Sequence, residues 1–128
     1  MDKNEKRLER IAIMEKLYSY DLSGEFILLN EIEEREYVVN VVNYVSTHLE
    51  SIDEIISKSL TKYHISRLSY VDRAIARMVV AEICFDLPIT IAINEALEII
   101  KEYSDQGDGM NVRFMNKLLD NICKTMGK

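Results

Sequence analysis

Apolar residues recur every three or four positions along this chain, the spacing of amphipathic helices. In the stretch 6–22, Leu8, Ile11, Ala12, Met14, Tyr18 and Leu22 form one stripe opposite charged residues, and Ser23-Gly24 supplies a stop. A short second segment, 25–34, carries Phe26, Leu29 and Ile32 at steps of three. The next, 36–50, is rich in valine, and propensity alone would allow a strand. Tyr37, Val41, Tyr44, Val45 and Leu49 keep helical spacing for longer than a typical strand, so a helix is predicted. Ser51-Ile52-Asp53-Glu54 reads as a capping box opening a fourth helix, with Ile52, Ile55, Ile56 and Leu60 inward. The fifth helix starts at Ser66 or Ser69 and ends before Pro88; it is apolar on nearly all sides, which marks a central helix. Thr90 is expected to cap the sixth helix and Asn111 the seventh, after a loop containing Gly107 and Gly109. The predicted architecture is all-α: one domain over 1–128 with about seven helices.

Composition narrows the class. One proline and four glycines are too few turn-formers for an all-β sandwich or barrel. With 48% hydrophobic and 30% charged residues the chain has the make-up of a soluble globule, not a disordered tail. Cys84 and Cys123 share no short motif and are expected on the inner stripes as small hydrophobes, so neither a disulfide nor zinc is expected. His48 and His64 lack partners at metal-ligand spacing. There is no glycine-rich phosphate loop or cofactor fingerprint, and the pairs Glu33–Glu34, Asp53–Glu54 and Glu95–Glu98 are expected on exposed faces, where carboxyl pKa values stay ordinary. The expectation is therefore no enzyme, no cofactor and no metal. The polar N-terminal stretch and the lack of an apolar run near ~18 residues predict a cytoplasmic chain without a membrane partner.

Charge is unevenly spread. Sixteen Lys and Arg against 22 Asp and Glu give −6, a balance that does not favour nucleic acid. Yet Lys3, Lys6, Arg7, Arg10 and Lys16 gather at the front, and Lys3, Arg7 and Arg10 share one helical stripe. Such a stripe could track phosphates, or it could be a solvated face laced with ion pairs. Arg67, Arg73 and Arg77 form a second basic group, with Asp72 and Glu82 as possible partners. Arg113 and Phe114 open the last helix: an arginine beside an aromatic ring suits an unpaired base, and a core role for Phe114 is the alternative.

The string 67–78, Arg-Leu-Ser-Tyr-Val-Asp-Arg-Ala-Ile-Ala-Arg-Met, is followed by Glu82 and then Pro88. After these come Ala92-Ile93-Asn94-Glu95-Ala96, Lys101, and Phe114-Met115-Asn116-Lys117-Leu118-Leu119-Asp120. With Arg7, Arg10 and Leu17-Tyr18 at the front, this order resembles the NusB family of transcription antitermination factors over nearly the whole chain. The resemblance implies a helical fold of two small packed bundles. It also implies binding of a boxA-like single-stranded RNA together with the ribosomal protein NusE, acting indirectly on the RNA polymerase elongation complex at ribosomal RNA operons. By the same resemblance Arg7 and Arg10 hold phosphates, Phe114 lies at the RNA surface, and Tyr18 and Glu82 lie at the NusE face; Arg77 is placed with that face. Lys3, Lys6 and Arg113 join the RNA set from charge and proximity alone. The resemblance also leaves a homodimer open, since such dimers occur in the family. The sequence departs from the family pattern at Lys6, which replaces an arginine, at Tyr63, which replaces a tryptophan, and at Lys117, which replaces a small residue.

Two other functions fit the same residues. One is a protein-only adaptor on this scaffold, favoured if Arg7 and Arg10 are locked by glutamates rather than exposed and contiguous with Arg113. The other is the helical domain of an RNA cytosine methyltransferase, which needs a cofactor fold that these 128 residues have no room for.

Overall fold

The computed structural model describes residues 3–26 and 34–128. Six α-helices and one short 3-10 turn make up its regular structure: α1 (Lys3–Ser23), α2 (Glu36–Thr47), α3 (Leu49–Ser59), the turn Ile65–Arg67, α4 (Tyr70–Cys84), α5 (Ile89–Tyr103) and α6 (Met110–Thr125). The all-helical prediction holds. The helix expected over 25–34 falls mostly outside the described residues, so six helices stand where about seven were expected.

α4 is the hub. It packs against α1, α2, α3, α5 and α6. Its residues from Ala74 to Ile83 are all buried, so it has no solvent face over most of its length. Ala74, Ala76 and Ala81 let neighbouring helices approach, while Ile75, Met78 and Val79 fill the space between them. Ser69 caps it by accepting the Asp72 N–H at 3.1 Å. Its far end closes with Asp86 in the left-handed region at φ 63°, and the Leu87 N–H returns to the Glu82 carbonyl at 3.1 Å. Pro88 then prevents continuation.

The valine-rich run is helical because Val38, Val41, Val42 and Val45 lie at helical spacing and are all buried. Each buried side chain contributes about 1.5–3 kcal/mol, which outweighs a helix-propensity penalty of roughly half a kcal/mol per valine.

Several predicted boundaries move. The third and fourth helices divide at His48, not at Ser51. Thr47 and His48 side chains bond the last carbonyls of α2, and Ser51, inside α3, donates back to the His48 carbonyl at 3.0 Å. α5 begins at Ile89 behind Pro88, so Thr90 is its second residue and no cap. At α6 the N-cap is Gly109, in the left-handed region at φ 75°. Asp105 accepts N–H groups of Gly107, Gly109 and Val112, and Asp108 accepts that of Met110. Asn111 instead donates its amide to Asp72 and Ser104, tying the start of α6 to the start of α4.

The most informative correction concerns α1. Its buried side is Glu9, Arg10, Ile13, Met14 and Leu17, whereas Leu8 and Leu22 are 65% and 60% exposed. The predicted inner stripe was rotated because Arg10 and Asp21 occupy inward positions, where a pattern of hydrophobicity alone points charges outward.

Candidate nucleic-acid interface

The basic front of α1 lies against the C-terminal half of α4 and the middle of α5. Arg7 makes a forked contact with Glu95, Nε to Oε1 at 3.2 Å and Nη2 to Oε2 at 2.9 Å. Arg10, 4% exposed, donates Nε to Glu82 Oε2 at 2.9 Å and brings Nη1 to 3.8 Å from Glu95. Glu82 is fully buried and also accepts the Tyr37 hydroxyl. Lys6 lies 4.0 Å from the buried Glu9 carboxylate, with its ammonium 4.7 Å from the centre of the Tyr37 ring.

This electrostatics holds the charged states in place. The hydrogen bonds from Arg7 hold the Glu95 carboxyl below its ordinary value, and the same bonds raise the Arg7 guanidinium. Burial, then the Glu82 charge, push the Tyr37 phenol well above its ordinary value, so it stays a donor.

Above this network lies a cleft of about 470 Å³ lined by Lys3, Lys6, Arg10, Tyr37, Leu87, Ile91, Asn94 and Glu95. Lys3 is exposed and Lys6 half-buried; with the Asn94 amide they supply polar groups beside the apolar edge of Ile91. A cationic rim over an aromatic and aliphatic floor suits a phosphate-linked ligand: charge for the backbone, flat apolar surface for bases.

The structure separates the other expected site residues. Arg113 is exposed, and Phe114 is half-buried edge-on to Tyr63 with ring centres 6.2 Å apart. Phe114 lines a cleft with Tyr63, Arg67 and Asn111 at the N-terminal end of α4, and Arg113 is its neighbour in the chain. Asp72 and Glu82 mark the two ends of α4, and at 1.5 Å per residue they stand about 15 Å apart. Arg7 and Arg10 are therefore not contiguous with Arg113. Arg77 is buried at 5% exposure, forked onto Asp53 at 2.9 Å twice and bonded to Asp21 at 3.1 Å. Arg73 pairs with the same Asp21 at 3.0 Å.

Three site expectations are corrected by burial. Glu82, Arg77 and Arg10 are 0%, 5% and 4% exposed and are held as internal ionic groups, so they offer little surface to a partner or a phosphate. Tyr18 does reach the outside, half-buried and edge-on to Tyr70. The glutamate pair at 95 and 98 is split, Glu95 being buried and Glu98 exposed, and Cys84 is exposed while Cys123 is buried. Tyr37 and Asn94, which line the cleft, were missed. Asn94 stood inside the Ala92–Ala96 motif, but nothing local linked Tyr37 to Glu82, 45 residues away.

Fold and cleft together define a class of helical binding protein, in which a cationic recess lies beside an apolar helix face. The NusB family model matches residues 7–124, and the chain belongs to the NusB family of transcription antitermination proteins. It is 42% identical to the transcription antitermination protein NusB of Acetivibrio thermocellus, over 93% of this chain and 88% of that one. Among solved structures, T. maritima NusB superposes with a TM-score of 0.79 at 30% identity, over 92% of this chain and 89% of that one. NusB from a crystal structure of the antitermination factors NusB and NusE with double-stranded RNA superposes with a TM-score of 0.77 at 28% identity, over 96% and 98%.

Proposed function

We propose that this chain binds a boxA-type single-stranded RNA together with NusE in the cytoplasm, and thereby supports read-through by RNA polymerase in ribosomal RNA operons. The observation that carries this reading is the cleft beside Tyr37, whose lining holds three cations, Lys3, Lys6 and Arg10, and one carboxylate, Glu95. The lysines at the rim are the phosphate ligands, and Arg7 adds its exposed edge. Arg10 is a positioning residue that holds the floor through Glu82. Arg113 and Phe114 form a second, separate contact for the same RNA.

NusE docks on the outer face of α1. Leu8, Ile11, Tyr18 and Leu22 follow a three-and-four spacing there, and the first and last are exposed. Tyr18 keeps its assigned role, with these three in place of Glu82 and Arg77.

The protein-only adaptor keeps one specific observation in its favour: the guanidinium groups of both Arg7 and Arg10 are held by glutamates. A salt titration of labelled boxA-type RNA, with and without NusE, decides between the two. Lys3→Glu combined with Lys6→Glu should flatten the slope of log affinity against log salt by about 0.7 per lost phosphate contact. Arg113→Glu should flatten it further and independently. Unchanged slopes in both variants would leave the adaptor.

A further inference from the structure

A second recess begins where the first ends. Tyr37 lines both, and beyond it a groove of about 510 Å³ runs along the outer face of α2, lined by Tyr37, Asn40, Asn43, Tyr44, Thr47 and Phe85. Tyr44 stacks on His48 at 4.0 Å and meets Phe85 edge-on at 5.2 Å. Phe85, just past the end of α4, is 42% exposed although it is large and apolar. Asn40, Asn43 and Thr47 are exposed on the same face.

The lining has an unusual chemistry: aromatic rings, side-chain amides and one hydroxyl, with no aliphatic and no charged side chain. A groove for a partner helix needs aliphatic pockets spaced three and four apart, and these are absent from it. Rings interleaved with amides are what unstacked bases use, since every base offers a flat face to a ring and polar edges to an amide. The groove holds no cation of its own, but it shares Tyr37 with the cleft lined by Lys3 and Lys6. From Tyr37 to Thr47 it is about 15 Å long, room for roughly two or three nucleotides of an unstacked single strand.

We infer that the groove on α2 is a base-binding extension of the RNA site: a single strand held by its phosphates at Lys3 and Lys6 continues across Tyr37, with bases stacked on Tyr44 and Phe85 and their edges bonded by Asn40 and Asn43. This rests on the RNA reading of the cleft. Tyr37 is the fixed step between the two recesses, because its hydroxyl is anchored on the buried Glu82.

The test compares two labelled single-stranded boxA-type RNAs, one of roughly twelve nucleotides and one cut back by about three from the end that lies on the groove. Each end is shortened in turn, and both RNAs are titrated into the chain with NusE. The longer RNA should bind more tightly. Tyr44→Ala with Phe85→Ala should remove about tenfold of that gain and leave the shorter RNA unaffected. Asn40→Asp with Asn43→Asp, confined to exposed positions and so tolerated by the fold, should weaken the longer RNA selectively. A length gain that survives both variants overturns the groove assignment while the cleft reading stands. Wild-type protein that binds neither RNA overturns the cleft reading itself. Weaker NusE binding without RNA, in either variant, overturns the assignment in favour of a protein face.

Discussion

α1 crosses α4 through two ionic clusters that look alike in composition and differ in what they leave over. At the C-terminal end of α1, Arg73 and Arg77 meet Asp21 and Asp53, two cations against two anions, and the cluster is closed. At its N-terminal end, Arg10 and Arg7 meet Glu82 and Glu95 and Lys6 lies against Glu9, but Lys3 and Lys6 also line an open cleft. The first cluster only fastens helices. The second fastens helices and also presents cations and an aromatic floor. The lesson is that pairing of an arginine does not by itself close a candidate site; what counts is the charge and surface remaining at the rim.

The sharpest way to break the comparison is at its most buried member. Glu82→Ala leaves the Arg10 guanidinium and the Tyr37 hydroxyl without their acceptor inside the fold. It should cost about 3–5 kcal/mol in denaturant unfolding, and RNA binding should fall with it because the cleft floor loosens. Arg77→Met, at the closed cluster, should cost about 3 kcal/mol, since Asp53 is partly exposed and can be rehydrated, yet leave RNA affinity per folded molecule unchanged. A loss of RNA affinity in the folded Arg77 variant would show that the two clusters are coupled.

The Arg7–Glu95 contact is smaller because Arg7 reaches solvent, and Arg7→Ala should cost about 1 kcal/mol at neutral pH. Its pH dependence has a definite sign. The Glu95 carboxyl is held below its ordinary value of 4.5, so the unfolded chain takes up the proton first as pH falls. The stabilisation is present above that value and is lost as pH drops through the folded one. Unfolding curves of wild type and Arg7→Ala should therefore converge below about pH 4.5; a constant gap would remove Glu95 as the partner. The smallest effect is expected at the far face, where Phe114→Leu loses its edge-on contact with Tyr63 and should cost about 0.5–1.5 kcal/mol.

Much of the fold could be read from local pattern. α4 announced itself as central by being apolar all round, and Ser69 was read as one of its two possible caps. The valine run was read as helix from spacing that propensity would have contradicted. Caps were less legible at Ser51, Thr90 and Asn111, because the groups that do the capping or displace it lie elsewhere: His48, Pro88 and Asp105. The front of the candidate site was legible as a cluster of charge at Lys3, Lys6, Arg7 and Arg10. The roles within it were not, since exposure separates Lys3 from Arg10 only after α2, α4 and α5 have packed.

By itself the sequence determined the helices, the central position of α4 and, through its ordered motifs, the family. Those depend on neighbours three or four residues away or on the order of residues along the chain. Only the tertiary structure decided which face of α1 turns inward. Arg10 is buried because Glu82 arrives from 72 residues away, and Arg7 is held because Glu95 arrives from 88. A charge placed inside a protein is stable only when its counter-charge is brought to it, and that meeting is made by packing, not by local pattern.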